Sequence, residues 1–389
     1  MNDGQVVIIG GGIGGLAAAA ALRRVGIRAA VYERAPEIRE VGAGLSLWSN
    51  AVKALRRIGL EDTVVARGSP IEEAITRTDR GDVISQVAIG DLARKAGAPS
   101  VCVHRAELQQ ILASAVEPRQ IHLNATCVGI DLDGDGVRAR FTDGRTARGS
   151  ILIGADGIRS AMRDSLIGPT PPRYSGYYAY RGIAHGEFPD LPFDRTEFAV
   201  GRGAQVGFVH CGPGRVYWFA TVNAPEGTPT PDPDSLKAEA MKRFAGWFPL
   251  VPAVVAATES TAIMKNDIID RPPTWPWGRG RATLLGDAIH PTTPNLGQGA
   301  CQALEDAIVL ADCLRRGGLK EAALREYEDS RRERTALVTR RSWSLGRLFQ
   351  IENRFALTVR NWLFRRGFGE RQGLKLLERL VNYEPPILD

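Results

Sequence analysis

From Val6 to Glu33 the chain reads VVIIGGGIGGLAAAAALRRVGIRAAVYE, which sets Gly10, Gly12 and Gly15 at G-x-G-x-x-G spacing. Glycines so placed let a backbone approach a pyrophosphate, and a helix starting there offers free N–H groups and the positive end of its dipole. Ile13 and Gly14 complete the turn. Glu33 stands where an acid can accept both hydroxyls of a ribose and would repel a 2′-phosphate. Arg34 follows it directly. The motif predicts a bound dinucleotide and does not separate NAD from FAD.

Two more stretches have the same strand-loop-helix form. SILIGADGIRSAMR (150–163) puts Asp156 and Gly157 at the C-terminal end of an apolar strand and Arg159 just inside the next helix. Ligands of open α/β sheets bind at such ends. RATLLGDAIHPTTPNLGQGACQALEDAIVLADCL, from Arg281, carries Gly286, Asp287, Pro294, Gly297, Gln298 and Gly299 between a strand and an amphipathic helix. Between these stretches, GAGLSLWSNAVKALRRIGL (42–60) is a glycine-rich loop holding Gly44, then a helix from about Ser49. In VCVHRAELQQIL (101–112), Arg105 opens a helix, where a cation meets the unfavourable end of the dipole; a fixed anion or an N-terminal ion pair would offset that.

The elements that must position these residues follow from pattern. QVVIIG and IRAAVYER read as buried parallel strands flanking a helix over Leu16–Val25. RQIHLNATCVGIDLDGDGVRARFTDGRTARG (119–149) alternates, with Asp-Gly turns at 133–136 and 143–144, and predicts an inserted β-meander. The segment 331–379 predicts one long helix and a shorter one. It carries thirteen Lys/Arg against four Asp/Glu, and the rest of the chain is slightly acidic. The overall charge of +6 is therefore local, and nucleic acid is excluded as a partner. Aromatic residues alternate with those arginines. Three readings are a helix packed across two lobes, a basic amphipathic surface on anionic lipid, and a dimer face.

With 389 residues, 44% hydrophobic and 24% charged, the chain is long enough for two lobes and a large core. No apolar run reaches the roughly 18 residues of a membrane span. The opening MNDGQVVIIG enters a strand without a leader pattern, and the chain reads as cytoplasmic. Five scattered cysteines, odd in number and without C-x-x-C spacing, predict neither a disulfide framework nor a metal site.

GGGIGG, GADGIRS and LLGDAIHPTTPNLGQG, in this order, resemble the single-component (group A) FAD-dependent monooxygenases over about residues 5–320. YSGYYAYRGIA (174–184), DIIDRPPTWPWGRGRATLLGDAIH (267–290) and PNLGQGACQALEDA (294–307) are most similar to the zeaxanthin epoxidase, urate hydroxylase and salicylate hydroxylase cluster. WPWG (275–278) is also like the tryptophan motif of flavin halogenases, but the residues that should accompany it are missing.

The resemblance implies an α/β fold: a Rossmann-like, para-hydroxybenzoate hydroxylase-like FAD-binding domain (1–70, 100–170 and 278–320), an inserted β-sheet substrate domain (71–99 and 171–277) and C-terminal helices (321–389). It implies FAD, with NADPH or NADH as transient electron donor bound in a groove, since a second G-x-G-x-x-G is absent. Gly10 to Gly15 would hold the pyrophosphate, Glu33 the ribose, and Arg105 a phosphate or ribityl oxygen. Asp156 and Arg159 lie in the motif shared by FAD and the nicotinamide nucleotide. Gly286 and Asp287 would face the ribityl chain. The Gly297-Gln298-Gly299 loop would meet the flavin edge where negative charge develops, and Pro294 its reactive edge.

The implied reaction inserts one oxygen atom of O2 into an aromatic or polyene-like molecule through a flavin C4a-hydroperoxide, as a hydroxylation or an epoxidation. An oxidase or reductase on the same scaffold, and a non-catalytic ligand-binding member, are the alternatives. Arg181, His210 and Tyr217, with Tyr180, are the candidates for substrate contact; Arg181 could hold a carboxylate or phenolate. His290 would contact or brace the flavin loop. Gln205 stands where the urate enzymes carry a basic residue, which counts against urate. The chain would act as a monomer or homodimer, with peripheral membrane contact through 331–379.

Overall fold

A computed structural model describes residues 5–38, 43–134, 136–368 and 370–388. Gly42 of the glycine-rich loop and Asp135 of the first Asp-Gly turn lie outside them. The strand Val6–Ile9 is buried along its whole length and pairs in parallel with Ala29–Tyr32 on one side and Ile151–Gly154 on the other. Ala282–Leu284 and Ile121–His122 extend the sheet at its two edges. Unbroken apolar runs such as VVII suit a sheet covered on both faces. The helix Ile13–Arg24 covers one face, with Leu16 to Leu22 all buried, and packs on the helix Gly299–Gly317. Its five successive alanines permit that close approach. The β-meander is present as Cys127–Asp133, Gly136–Phe141 and Thr146–Gly149.

A second, seven-stranded sheet is built from two stretches of sequence. Its order is Met264–Asp270, Arg173–His185, Arg215–Asn223, Ala204–His210, Arg195–Gly201, Glu73–Thr78, Val83–Ala88. One face packs on the helices Pro233–Phe244 and Leu250–Ala256 around Tyr180, Phe208 and Trp218. The other face turns toward the Rossmann-like sheet. A small sheet of Gly44–Leu47, Val101–His104 and Ser69–Pro70 joins the two. The architecture is thus α/β, with a β-sheet inserted into a Rossmann-like domain.

The C-terminal helices differ from the sequence expectation. The long helix starts earlier, at Glu321, and runs to Phe349. The remainder is two helices, Arg354–Arg365 and Glu370–Val381. The break is encoded by Asn353, whose side chain accepts from the Ala356 N–H at 3.0 Å and caps a new helix.

Candidate active site

Three chain segments leave the parallel sheet side by side at its C-terminal edge: Gly10 after the first strand, Ala155 after Ile151–Gly154, and Leu285 after Ala282–Leu284. A cavity of about 1610 Å³ opens there. It runs on to the second sheet, where Ala179, Arg181, Gln205, Tyr217 and Phe219 line it, and to the C-terminal helices. Small-molecule sites occupy about 300–1,000 Å³, so this volume can hold a cofactor and a substrate together.

The first junction fits a pyrophosphate. Gly10 has φ +109°, and a Cβ there would lie 2.4 Å from the Ala155 carbonyl oxygen. Gly15 lets the helix cross the strand, since a Cβ would fall 2.0 Å from the Gly10 oxygen. Gly12, by contrast, has nothing within 4 Å and faces the cavity. The helix behind it has no side-chain cap and no acid in its first turn, so its end N–H groups and dipole are open to an anion. Glu33 is fixed at the rim: its Oε2 accepts from the Gly11 N–H at 2.6 Å and its Oε1 from the Ala35 N–H at 2.9 Å. Arg34 and Arg159 are exposed at the cavity wall.

The other junctions bring charges inward. Burial raises the Asp156 carboxyl, which accepts from the Ser160 hydroxyl and from the Met162 N–H. Asp287 is exposed to the open cavity; the surrounding protein desolvates its carboxyl and raises its pKa against the pull of His290 and Arg105. Arg105 begins the helix Arg105–Ser114, and burial lowers its pKa despite Asp287 nearby. The helix Gly299–Gly317 also starts without a side-chain cap or an early acid, and Gly297 (φ +61°) turns the chain into it. The Trp48 Nε1–H, 3.0 Å from where a Cβ on Gly297 would lie, is buried without a partner among the described residues. The uncapped helix N-termini and the Trp48 N–H fit the phosphates and carbonyl edge of FAD, and Glu33 fits its ribose.

A buried ion network braces that wall. Asp306 Oδ2 accepts from the Gly286 N–H at 3.1 Å and lies 2.6 Å from His290 Nε2. Asp306 Oδ1 accepts from Arg331 Nε at 2.7 Å, and Arg331 also pairs with Glu305 at 2.6 Å. Glu305 accepts from Arg334 and from Asn50. Burial alone would raise both carboxyls, but His290 and Arg331 hold Asp306 below its usual range, and Arg331 and Arg334 do the same for Glu305. Trp277 of the WPWG stretch is buried between His290 and Tyr327, which gives it a packing role.

The structure brings most of the expected site residues to the cavity: Gly10, Gly12, Ile13, Gly14, Glu33, Arg34, Gly44, Arg105, Asp156, Arg159, Arg181, Tyr217, Gly286, Asp287, Pro294, Gly297 and Gly299. Gly44 has a second task, since a Cβ there would sit 2.4 Å from the Tyr217 Cβ. At Gln298 only the loop backbone is available to the site, since its side chain turns away into hydrogen bonds with Asn50 and Gln302. Two expectations for substrate contact need correction. His210 lies on the far face of its strand, with Nε2 3.0 Å from the Leu191 carbonyl and its ring against Phe193. Tyr180 points the same way, bonded to Tyr178 and Glu239. Side chains alternate along a strand, so Tyr180 cannot share a face with Arg181, nor His210 with Gln205. Arg181 makes no hydrogen bond or ion pair among the described residues. Burial raises the Tyr217 phenol, with Arg181 and Arg105 opposing, so it remains a neutral donor.

Sequence reasoning missed two groups. Trp48 had no motif of its own. Leu345, Leu348, Phe349, Phe364, Leu374 and Leu377 of the C-terminal helices line the cavity, although the sequence does not single them out as site residues.

A family model described as FAD binding domain matches residues 3–342. The aurachin C monooxygenase/isomerase of Stigmatella aurantiaca is 43% identical over 366 residues, covering 94% of this chain and 95% of that protein. The FAD-dependent urate hydroxylase of Klebsiella pneumoniae is 39% identical over 332 residues, covering 85% and 86%. Among solved structures, Klebsiella pneumoniae HpxO complexed with FAD and uric acid has a TM-score of 0.91 at 34% identity, covering 97% of each chain.

Proposed function

The chain belongs to the FAD binding domain family and is an FAD-dependent monooxygenase using NADH or NADPH; from that premise we propose how its own residues divide the work. The observation that carries the proposal is one continuous cavity with an anion-accepting glycine wall at one end and the Arg181–Gln205–Tyr217 sheet face at the other. Bound FAD supplies the activation of dioxygen once NADH or NADPH has reduced it. Gly10, Gly12 and the helix behind them hold the pyrophosphate, and Glu33 the ribose. Arg105 and Asp287 flank the chain between pyrophosphate and ring. The N-terminus of Gly299–Gly317 and the Trp48 indole N–H face the ring's carbonyl edge, where fixed donors stabilise negative charge.

The substrate is a small aromatic or polyene-like compound set against Ala179, Phe198 and Phe219. Arg181 holds a carboxylate or phenolate, and Tyr217 and Gln205 orient it as neutral hydrogen-bonding groups. Apolar walls keep water from the reacting oxygen. All five cysteines are free, which suits a reducing, cytoplasmic site of action, and no helix among the described residues is long and apolar enough to cross a membrane.

The test is the absorbance spectrum of the purified protein, then NADH and NADPH consumption under 18O2 with phenols, aromatic acids, polyenes, urate and aurachin C. Flavin bands, substrate-stimulated consumption and one labelled oxygen atom in the product are expected. Stimulated consumption with no label in any product would indicate an oxidase or reductase. A colourless protein that FAD cannot reconstitute would overturn the site assignment.

A further inference from the structure

The helix Arg354–Arg365 sets Phe364 against the cavity and turns an apolar stripe outward. Phe355, Val359 and Trp362, at i, i+4 and i+7, form its outer face, 79%, 37% and 50% exposed. Phe368, 61% exposed, stacks on Trp362 at 6.5 Å, and the Arg366 guanidinium lies 4.8 Å from the Trp362 ring centre. On its inner face the buried Arg360 donates to the carbonyls of Leu348 and Phe349, pinning the helix to the end of the long one. Phe364 meets Phe349 at 6.3 Å, and both rings line the cavity. The next helix adds Leu374 and Leu377 to the same wall.

Around this patch Arg347, Arg354, Arg365 and Arg366 are exposed, Arg365 pairing with Asp82 at 3.1 Å, while Arg331, Arg334 and Arg360 of the same basic stretch turn inward. A second copy of the chain would set that excess charge against itself. An anionic lipid surface complements it, and aromatic side chains ringed by arginine suit the headgroup region. The cavity also extends from Arg181 and Tyr217 to leucine and phenylalanine side chains of the C-terminal helices.

We propose that the outer face of Arg354–Arg365 docks on an anionic bilayer, and that the substrate is a bilayer-dissolved compound with an oxidisable ring and a long apolar chain. The ring meets Arg181 and Tyr217, and the chain lies along Leu345, Leu348, Phe349, Phe364, Leu374 and Leu377. The substrate part of this inference rests on the monooxygenase reading; the docking part does not.

The experiment is co-sedimentation of the flavin-loaded protein with phosphatidylcholine vesicles, with and without phosphatidylglycerol, at low and high salt. It is repeated with Phe355→Ser/Trp362→Ser, whose positions touch neither the cavity nor the ion network. The wild type should sediment with the anionic vesicles and be released by salt. The double variant should bind at least about tenfold more weakly, as expected for losing two buried rings, with the same flavin spectrum. Dodecylphenol dissolved in those vesicles should stimulate NADH or NADPH consumption more than phenol in water, and only that stimulation should fall in the double variant. Failure to bind anionic vesicles would overturn the docking, as would a dimer that the double substitution dissociates without any vesicle binding. Equal stimulation by phenol and dodecylphenol would overturn the substrate class. A protein that docks but lacks flavin would instead sink the monooxygenase reading.

Discussion

Arg331→Met tests whether the buried ion network holds the cofactor wall in place. Arg331, Glu305 and Asp306 are all fully buried, and Arg331 pairs with both carboxylates. Removing one partner of such a set leaves uncompensated buried charge, at a cost of about 3–5 kcal/mol. Unfolding entropy of about 2.1 cal/mol/K per residue gives about 0.8 kcal/mol/K for a chain of this length, so Tm should fall by about 4–6 °C. The pH dependence carries the sharper test. In the wild type both carboxyls sit below their usual range, because His290, Arg331 and Arg334 outweigh burial. Their contribution is fully present above the unfolded carboxylate pKa of about 4 and is lost as pH falls through the depressed folded values. In the variant, burial is opposed only by His290 at Asp306 and by Arg334 at Glu305, so the folded pKa values rise from their depressed wild-type positions. The wild type then loses more stability than the variant on acidification, and the Tm gap narrows as pH falls into the carboxylate range. Calorimetry at several pH values measures the gap, and released flavin fluorescence reports whether Gly286 has lost its anchor. A Tm within about 1 °C of wild type, or a gap that does not change with pH, would refute the reasoning.

The glycines should separate by role. Gly12→Ala meets no neighbour, so the apo protein should keep its Tm within about 1 °C while flavin retention drops, whereas Gly15→Ala collides with the Gly10 carbonyl and should fail to fold. Circular dichroism and the flavin spectrum measure both. Arg181→Met removes a cavity cation with no hydrogen bond or ion pair among the described residues, so KM for anionic aromatic substrates should rise about tenfold or more, with kcat little changed and flavin content intact. His210→Phe should leave kcat/KM unchanged and cost about 1 kcal/mol in urea denaturation, because only the bond to the Leu191 carbonyl is lost.

The cofactor half of the site was legible because its signals are local. Gly10, Gly12, Gly15 and Glu33 lie within one βαβ unit, and each glycine reports a backbone constraint that spacing alone reveals. The junctions at Asp156 and Gly286 repeat the same device, so their convergence at one sheet edge follows from parallel pairing. The substrate half was only partly legible, and part of what was missed could have been read. Tyr180 and Arg181 are adjacent in a strand, so they cannot both face a substrate. Gln205 and His210 are an odd number of residues apart, so the same holds for them. Which face was inward depended on where the helices Pro233–Phe244 and Leu250–Ala256 would pack, and no local pattern fixes that.

The C-terminal segment left three readings open, a packed helix, a lipid-facing surface and a dimer face, because a periodicity argument assumes one buried face and one wet face. Phe364 turns inward and Trp362 outward from the same short helix, and the sequence shows only a run of aromatic residues among arginines. Phe364 lines the far end of the cavity while Trp362 faces outward, so under the docking proposal one short helix joins the cavity to the bilayer. Filling the cavity's far wall with Leu377→Trp should therefore reduce turnover of a long-chained phenol while sparing a short one, and should leave vesicle binding unchanged. Equal effects on both phenols would show that the far end of the cavity does not take the chain.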